Sequence, residues 1–393
     1  MSLADVKVVV VGVGFIGVAH VEALRRLGID VVGVVGSSPG RARDKAARAN
    51  LPMVYDDLDA VLADDTVDVV HVASPNDVHA AQARASLAAG KHVVCEKPLG
   101  VDSGETAAMV DAAETSGLVN AVCFNIRFYP SCHQAAAMVA GGEIGAPRFV
   151  SGAYLQDWLL LPTDWNWRLE PQRAGELRAV ADIGSHWLDL ARFITGKRVV
   201  EVMADLHTLV PVRRHPAGPV ESFAGPVDGS DDVGDLIEET MSSDDAASIM
   251  LRFEDGARGV VAISQVSAGR KNSVTIEVDG AESAVSWYSE EPDRLWIGHR
   301  GRPNEILQRD PTLAAPEAAR LIGYPGGHVE GYPDTFRALF SQIYADVVKG
   351  APSPNPTYPT FADGHDAVCV TEAVARSSAE GRWVTVDRGG PPT

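Results

Sequence analysis

The sequence has few cysteines, no long apolar run and a shortage of basic residues. Four cysteines stand far apart in 393 residues, and none belongs to a CxxC or Cys/His pattern, so no metal site is predicted. No stretch of about 20 apolar residues is available to span a membrane. The 34 Lys and Arg residues are outnumbered by 53 Asp and Glu residues, and the net charge of −19 argues against nucleic acid or an anionic membrane surface as a partner.

What remains is the composition of an ordinary globular protein. The chain is 46% hydrophobic and 22% charged, and it is long enough for two domains that each have a core. The opening stretch "MSLADVKVVVVGVG" enters a glycine loop without the basic region of a signal peptide. We therefore expect a cytoplasmic protein.

The first unit of the chain reads as strand, glycine turn, helix and strand. An apolar, β-branched run at 6–12 is typical of a buried parallel strand, and it leads into "GVGFIG", which has GxGxxG spacing. A helical pattern and a second strand at 30–36 follow, and this context favours dinucleotide binding over a plain βαβ turn. Such glycines let the backbone approach a pyrophosphate at the helix N-terminus. The expected cofactor contacts are Gly12, Gly14, Phe15, Ile16 and Gly17.

The end of the second strand bears on which dinucleotide binds. An acidic residue about 20 positions after the glycines would bind the ribose 2′-hydroxyl of NAD. This chain has Gly36 there, followed by Ser37, Ser38 and Arg41. No carboxylate repels a 2′-phosphate, two hydroxyls can donate to it and Arg41 or Arg43 can pair with it, so the sequence favours NADP over NAD. The serines can also simply cap the next helix, and serines can hold NAD as well.

The third strand, at 67–74, also ends in polar residues. Ser74, Pro75 and Asn76 stand where the carboxyl end of a parallel strand meets the cofactor crevice, and we expect them to contact the cofactor. His79 opens the helix that follows. A histidine at a helix start is a local cap, a residue of the cleft wall or, at most, a cofactor contact.

The stretch "VVCEKPLG" ends the fourth strand with an acid and a base before a proline. Because this end faces the same crevice, Lys97 is expected to reach both the nicotinamide ribose and a substrate hydroxyl. Glu96 is expected to bind the ribose or to orient the lysine. A surface salt bridge at a strand end is the alternative for both residues.

The ordered run of motifs resembles the Gfo/Idh/MocA oxidoreductases, which act on sugars, inositols and related polyols. The resemblance is carried by "VVVVGVGFIGVAHVEAL", "VDVVHVASPNDVHAAQARASLAAGKHVVCEKPLG" and "ADIGSHWLDLARFITG", with further family-like segments at 124–130 and 359–386. It therefore covers nearly the whole chain. It implies that Lys97 belongs to a catalytic Glu-Lys-Pro signature whose lysine contacts nicotinamide and substrate, and that the bond into Pro98 is a candidate cis peptide.

The resemblance also implies the architecture. We expect an α/β Rossmann domain with a doubly wound parallel sheet at 1–128, followed at 129–393 by an α+β domain built on a large open, mostly antiparallel sheet. That sheet commonly forms the oligomer interface in the family, which predicts a homodimer or homotetramer. Residues 211–247 are rich in Gly, Pro, Ser and acids without a period, and we interpret them as a surface loop, partly disordered, that interrupts the sheet.

A helical segment supplies candidates for proton transfer. Asp182, His186 and Asp189 recur on one helix face, which by spacing alone could be only a solvated face. The resemblance places Asp182 and His186 on the family's DxxxH pair, which binds substrate hydroxyls and moves the proton. Oxidation of a secondary alcohol removes a hydride and a proton, so it needs an acid/base near neutral pKa and a cation beside the developing alkoxide. We expect His186 to be the acid/base and Lys97 the polariser, although the two could exchange roles.

Aromatic and basic residues supply candidates for substrate contact. Tryptophan suits the C–H face of a sugar and arginine suits its hydroxyls, which makes Trp158, Trp165, Arg127 and Arg168 candidates, with Tyr129 as a further one. Each tryptophan can equally be a packing residue, and each arginine a structural ion pair.

The sequence thus predicts an NAD- or NADP-dependent oxidoreductase that acts on a secondary alcohol of a sugar, inositol or related polyol. Two alternatives stay open at this point. One is a glycosidase that uses bound NAD in a transient oxidation and elimination cycle. The other is a non-catalytic regulatory protein that senses a dinucleotide, against which stands the joint presence of Lys97, Asp182 and His186.

Overall fold

The computed structural model describes residues 2–37, 39–48, 50, 53–217, 220 and 236–389. The chain divides into two compact units, of which the first comprises Met1–Phe128 and Tyr332–Val368 and the second comprises Tyr129–Gly331 and Cys369–Thr393. Within the described residues, no helix is long and apolar enough to cross a membrane.

The helices and strands of the described residues have the following bounds. The helices are α1 (Phe15–Arg26), α2 (Pro39–Arg48), α3 (Leu58–Leu62), α4 (His79–Ala88), α5 (Ser103–Ser116), α6 (Pro130–Ala140), α7 (Pro171–Ala174), α8 (Ser185–Thr195), α9 (Pro316–Ala319), α10 (Tyr332–Val347) and α11 (Phe361–Glu380). The strands are β1 (Lys7–Val11), β2 (Asp30–Val35), β3 (Val69–Val72), β4 (His92–Cys95), β5 (Asn120–Val122), β6 (Pro147–Leu155), β7 (Val199–His207), β8 (Val212–His215), β9 (Ile237–Thr240), β10 (Ala246–Phe253), β11 (Arg258–Ser264), β12 (Ser273–Gly280), β13 (Ser283–Tyr288), β14 (Arg294–His299), β15 (Glu305–Gln308) and β16 (Val384–Thr385).

The first unit is built on a five-stranded parallel sheet in the order β2-β1-β3-β4-β5. Strand β3 is buried along its whole length, and β1 and β4 are buried except at their first residue, as mostly apolar strands of a sheet covered on both faces should be. The predicted doubly wound Rossmann fold is confirmed. Helix α10, which the sequence analysis places in the second domain, belongs to this unit because its apolar side chains pack against α1.

The second unit is built on a nine-stranded sheet in the order β15-β14-β13-β12-β6-β11-β10-β7-β16. Its neighbours pair antiparallel except for β6 and β11, which run parallel, so the predicted large and mostly antiparallel sheet is confirmed. Strands such as β10 alternate buried and exposed residues, so one face of the sheet carries the core.

The predicted surface loop at 211–247 contains more structure than the sequence indicated. Strands β8 and β9 form a two-stranded antiparallel sheet within it. Arg213 of β8 is fully buried, because its guanidinium pairs with Asp245 and donates to three backbone carbonyls. Residues 218–219 and 221–235 of the predicted loop lie outside the described residues.

Candidate functional site

The glycine loop after β1 has no room for a side chain at two of its three glycines. Gly12 has a φ of +109°, and a Cβ built there would lie 2.3 Å from the carbonyl oxygen of Ala73. At Gly17 a Cβ would lie 1.9 Å from the Gly12 carbonyl oxygen. Gly14 differs, because a Cβ there would meet no atom of the described residues within 4 Å. The loop therefore packs closely against backbone atoms at Gly12 and Gly17 and leaves open space at Gly14. This arrangement fits a binding site for the pyrophosphate of a dinucleotide.

This loop lies at the point where the strand order reverses. The chain leaves β1 for β2 on one side and reaches β3 on the other, and ligands of such sheets bind at the carboxyl ends beside this switch point. Gly12 follows β1, and Ser74, Pro75 and Asn76 follow β3. The structure therefore brings these predicted cofactor contacts to one edge of one sheet.

The other predicted dinucleotide contacts are less informative. Phe15 and Ile16 form the first turn of α1, and Phe15 is 54% exposed. Ser37 is exposed just after β2, Ser38 lies outside the described residues and Arg41 lies in α2. Their roles stay predictions.

His79 connects the loops that follow β3 and β4. Its Nε2 lies 2.9 Å from the carbonyl oxygen of Ser74, and its Nδ1 lies 2.9 Å from that of Pro98. Burial lowers the pKa of His79, so the neutral ring, which has a single N–H, is favoured between two acceptors. The geometry gives His79 a part in holding the crevice edge together, and its contact with a cofactor stays a prediction.

Glu96 and Lys97 follow β4 directly, and the bond between Lys97 and Pro98 is a cis peptide, as expected. The Glu96 carboxylate is buried, with Oε1 3.1 Å from Nε2 of His20 and Oε2 accepting from the backbone N–H of Lys97 at 3.1 Å. These contacts agree with a role in orienting the lysine. A bond from Glu96 to the ribose stays a prediction.

In the second unit, Asp182 is held by a donor on each carboxylate oxygen. It lies in a π-helical turn, Val180–Gly184, that runs into α8. Nε of Arg168 donates to Oδ1 at 3.2 Å, and Nε2 of Gln265 donates to Oδ2 at 2.8 Å. The Asp182 side chain is still 14% exposed. The carboxylate is therefore oriented and yet accessible to a ligand.

His186 lies in the first turn of α8 and is 6% exposed. Its ring centroid is 6.4 Å from that of Tyr154, whose hydroxyl donates to Asn272 Oδ1 at 2.8 Å. Burial and, after it, the charge of Asp182 raise the pKa of Tyr154, so the phenol stays protonated and can act as a donor. The other side of this segment is apolar, and its residues are buried except for the half-buried Phe193. The buried ones are Ile183, Trp187, Leu190 and Ile194.

A buried aspartate from a distant part of the sequence binds the start of the turn that contains Asp182. Asp244 accepts from the backbone N–H of Arg178 at 2.7 Å through Oδ1 and from that of Val180 at 2.8 Å through Oδ2. These are N–H groups that a helix start leaves without intrahelical partners. Burial raises the pKa of Asp244, against the lowering effect of these two bonds. The carboxylate thus anchors the start of the turn.

A second set of contacts orients the amide of Gln265. The Arg178 guanidinium donates to Gln265 Oε1 at 3.1 Å, so the amide nitrogen is the atom left to face Asp182. Arg178 and Arg213 both pair with the buried carboxylate of Asp245. Arg178 therefore orients the amide that binds Asp182, and Arg213 shares with it the carboxylate of Asp245.

The predicted aromatic contacts separate into two roles. Trp165 stacks on His215 with ring centroids 3.7 Å apart and planes at 17°, which favours packing. Nε1 of Trp158 donates to Gln156 Oε1 at 2.8 Å, and Gln156 in turn lies 3.3 Å from Gln265. Both tryptophans pack against the small apolar cluster of Leu159, Leu169 and Met241.

The structure therefore brings Asp182, Arg168 and Trp158 into one hydrogen-bonded group. Arg127 is buried in the turn Asn125–Phe128 of the first unit, the unit that also contains Lys97. The substrate roles of all these residues stay predictions.

Sequence reasoning missed Gln156 and Gln265. A signal for both exists, because Gln156 follows β6 and Gln265 follows β11, and these strands are parallel neighbours whose carboxyl ends share an edge. The rule that identified Ser74 in the first sheet would have found them. The expected sheet was mostly antiparallel, and nothing in the two strand sequences indicates that β6 and β11 run parallel.

Comparisons with known proteins bear on the whole chain. Residues 6–124 match the profile described as "Oxidoreductase family, NAD-binding Rossmann fold", and residues 132–286 match the "GFO/IDH/MocA C-terminal domain". The chain is 30% identical over 399 residues to levoglucosan dehydrogenase of Pseudarthrobacter phenanthrenivorans, covering 98% of this chain and 99% of that protein.

Solved structures give the same result. A levoglucosan dehydrogenase in complex with NADH and L-sorbose superposes with a TM-score of 0.86 at 29% identity, covering 98% of this chain and 99% of that one. An inositol dehydrogenase homolog from Azotobacter vinelandii, complexed with NAD+, superposes with a TM-score of 0.81 at 26% identity, covering 97% of both chains. The predicted sugar or polyol oxidoreductase with an NAD-binding domain is confirmed. The chain belongs to the Gfo/Idh/MocA family of oxidoreductases.

Proposed function

We propose that this enzyme oxidises a ring secondary alcohol of a monosaccharide, and that a 1,6-anhydrosugar such as levoglucosan is the first substrate to test. The observation that carries the proposal is the carboxylate of Asp182, which accepts a hydrogen bond on each oxygen and lies one helical turn before His186. A hydroxyl-rich ligand suits this group, because carboxylate, amide and guanidinium groups bond to vicinal hydroxyls. The similarity to levoglucosan dehydrogenase supports the same substrate class.

Each residue has a proposed role in the chemistry. Asp182 accepts a hydrogen bond from a substrate hydroxyl, since Arg168 and Gln265 hold its oxygens in place. His186 removes the hydroxyl proton during oxidation and returns it during reduction. Lys97 stabilises the negative charge that develops on the substrate oxygen.

The glycine loop and the loop after β3 would hold the dinucleotide, which supplies the acceptor for hydride when it is bound. The solved structures of relatives contain NADH or NAD+, which supports binding of NAD. The positions of Gly36 and Ser37 carry no acidic residue that would repel a 2′-phosphate, which supports binding of NADP. We propose that both dinucleotides are used, with NADP preferred. The cytoplasmic location stays a prediction.

The proposed function is tested with a panel of monosaccharides, inositols and anhydrosugars, each offered with NAD and with NADP. Reduced nicotinamide is followed by its absorbance. We expect at least one sugar to be oxidised, with the higher kcat/KM for NADP. Release of a sugar from a glycoside without net reduction of the cofactor would instead indicate the glycosidase, and dinucleotide binding without any turnover would indicate the sensor.

Replacing Gly14 with alanine should weaken dinucleotide binding without harming the fold. The new methyl group meets no atom of the described residues within 4 Å, and a φ of −74° suits alanine, so the free energy of unfolding should stay the same. The methyl group occupies the space that the pyrophosphate needs, and we expect the Kd for NADH to rise about tenfold or more, at least about 1.4 kcal/mol. Fluorescence titration measures the Kd, and thermal unfolding without ligand measures the stability.

The matched variant is Gly17→Ala. Its methyl group would lie 1.9 Å from the Gly12 carbonyl oxygen, so this variant should lose stability as well as affinity. A Gly14→Ala protein that binds NADH as tightly as the wild type would contradict the assignment of this loop.

We infer that the enzyme assembles with further copies through the exposed face of the nine-stranded sheet. Met250 and Val260 are cross-strand partners on this face, and both are exposed, at 46% and 39%; Phe149 lies on the same face at 40%. Three large apolar side chains on one open sheet face support burial against another copy.

A charge placed on this face should therefore break the assembly. Val260→Arg is expected to give a smaller particle by size-exclusion chromatography with light scattering, because burying the guanidinium in an apolar contact is costly. Val329→Arg, at a position that is 78% exposed and outside the strands, is the control. A wild-type protein that is monomeric at micromolar concentration would refute the inference.

A further inference from the structure

A chain of buried polar side chains runs through the first unit beneath the catalytic signature. His20 of α1 and His71 of β3 are both fully buried, and their Nδ1 atoms lie 2.9 Å apart. Nε2 of His20 reaches Glu96 Oε1 at 3.1 Å, and Nε2 of His71 lies 2.8 Å from the hydroxyl of Tyr344 on α10. Four side chains from four segments thus form an unbroken line of hydrogen bonds, which we name the histidine chain: Tyr344, His71, His20 and Glu96.

The surroundings of the histidine chain are mostly apolar, apart from the buried thiol of Cys123, whose Sγ lies 3.8 Å from Nε2 of His20. The Phe340 ring centroid lies 4.9 Å from the centroids of both imidazoles, and that of Phe336 lies 5.5 Å from His20. Inside such a cage, a donor or acceptor that lost its partner would have no water to replace it. Each member of the chain therefore depends on its neighbour for its orientation.

The proton positions follow from the ends of the chain. Burial lowers the pKa of His71 and raises that of Tyr344, so His71 is a neutral imidazole and Tyr344 keeps its proton. When His20 donates from Nε2 to the carboxylate of Glu96, it accepts at Nδ1. His71 then donates from Nδ1 and accepts the Tyr344 proton at Nε2. Every hydrogen bond points towards Glu96, and none lacks a donor.

Glu96 connects the histidine chain to the backbone of Lys97. Its Oε2 accepts from the backbone N–H of Lys97 at 3.1 Å, while its own N–H donates to the carbonyl of Val72 at 2.8 Å. The carboxylate is thereby held by His20 on one oxygen and holds the Lys97 peptide with the other.

We propose that His20, His71 and Tyr344 are positioning residues that act on Lys97 through the carboxylate of Glu96. The inference rests on the proposed function, because it assigns Lys97 a part in catalysis. It adds that the lysine depends on Tyr344, a residue 273 positions from His71 in the sequence.

A second interpretation of the same side chains is a metal site. Single ligand atoms of His20, Glu96 and Cys123 lie within 4.8 Å of one another, a spacing that a metal ion could occupy. In the proton order described above, Nε2 of His20 donates to Glu96, whereas a metal ion would need the lone pair of that nitrogen. Metal content therefore separates the two interpretations.

Two replacements of His20 test the proposal. In His20→Gln the side-chain amide can still donate to Glu96 but cannot reach His71 in the same way, whereas in His20→Asn the shorter amide reaches towards His71 and loses Glu96. We expect kcat to fall about tenfold or more in His20→Asn, with KM for the dinucleotide and Kd for NADH within about threefold of the wild type. His20→Gln should recover the part of kcat that depends on the bond to Glu96 and keep a residual loss, because its bond to His71 is broken. Tyr344→Phe, which removes one hydroxyl without adding volume, should show a smaller loss in the same direction.

An NMR measurement that requires no turnover tests the positioning of Lys97 independently of the proposed function. In protein labelled with 15N-lysine, the backbone amide signal of Lys97, assigned by its loss in Lys97→Arg, should move in His20→Asn and return towards its wild-type position in His20→Gln. If the wild type oxidises no sugar, the proposed function fails while this signal still decides the positioning. Three results would each overturn the proposal. The first is an equal loss of kcat in the two His20 variants that parallels the fall in their melting temperatures, and the second is a Lys97 amide signal that does not move. The third is stoichiometric zinc in the wild type that is lost in Cys123→Ala.

Discussion

Replacing His186 with glutamine is expected to lower kcat for sugar oxidation by about 10²- to 10⁴-fold, the range that general acid–base catalysis contributes. Glutamine keeps a polar group of similar size in the first turn of α8, but it cannot take up the hydroxyl proton. Binding of NADH should be unaffected, because the glycine loop belongs to the other unit. Steady-state kinetics over a range of pH and a fluorescence titration with NADH measure the two quantities.

His133→Gln is the matched control for this prediction. His133 is a second buried histidine of the same unit. It lies in α6, and its ring centroid is 4.7 Å from that of Phe193, which shares α8 with His186. This variant should lose stability while keeping the kcat of the folded enzyme. A His186→Gln enzyme with kcat within about threefold of the wild type would move the proton transfer to another group, and Lys97 would be the first to test.

Replacing Lys97 with methionine is expected to lower kcat by about 10²- to 10³-fold, as the loss of a single group that stabilises the charge of the transition state does. Methionine keeps the length and apolar stem of lysine and removes only the ammonium group. Thermal unfolding should show a change of less than about 1 kcal/mol, because the side chain is half-buried and not part of the core. Single-turnover kinetics with saturating sugar separate the chemical step from binding.

Lys91 provides the control on the same strand. It immediately precedes β4, whereas Lys97 follows it, and its Nζ donates to the carbonyl oxygen of Asp64 at 2.8 Å. Lys91→Met should therefore cost some stability and leave kcat unchanged. If Lys97 and His186 serve the same step, the double variant should lose little more than the worse single variant. Fully multiplicative losses would mean that the two residues act independently.

Much of the first unit is predictable because its signals are local. The apolar runs at 6–12, 30–36 and 67–74 agree with β1, β2 and β3 within two residues at each end. Gly12 and Gly17 were predicted as cofactor contacts from the glycine spacing and its place between a strand and a helix, and the structure shows that a Cβ at either position would lie too close to a backbone oxygen.

The surroundings of Asp182 could not be predicted in the same way. The carboxylate itself stands in a recognisable segment, but its two partners, Arg168 and Gln265, are 14 and 83 residues away. Arg168 was named as a substrate contact, and its bond to Asp182 was not foreseen. Likewise, the composition of 211–247 indicated a loop, although Arg213 within it is buried on an ion pair with Asp245.

The sequence by itself determined the parallel Rossmann sheet, its dinucleotide loop and the residues with suitable chemistry, because strand alternation, glycine spacing and side-chain type are properties of short segments. Only the tertiary structure decided which of these residues meet. It directs Glu96 to His20 and connects His71 to Tyr344 of a distant helix, and it turns the amide of Gln265 towards Asp182. Such contacts depend on how separate elements pack against one another, and no periodicity within a single element records that.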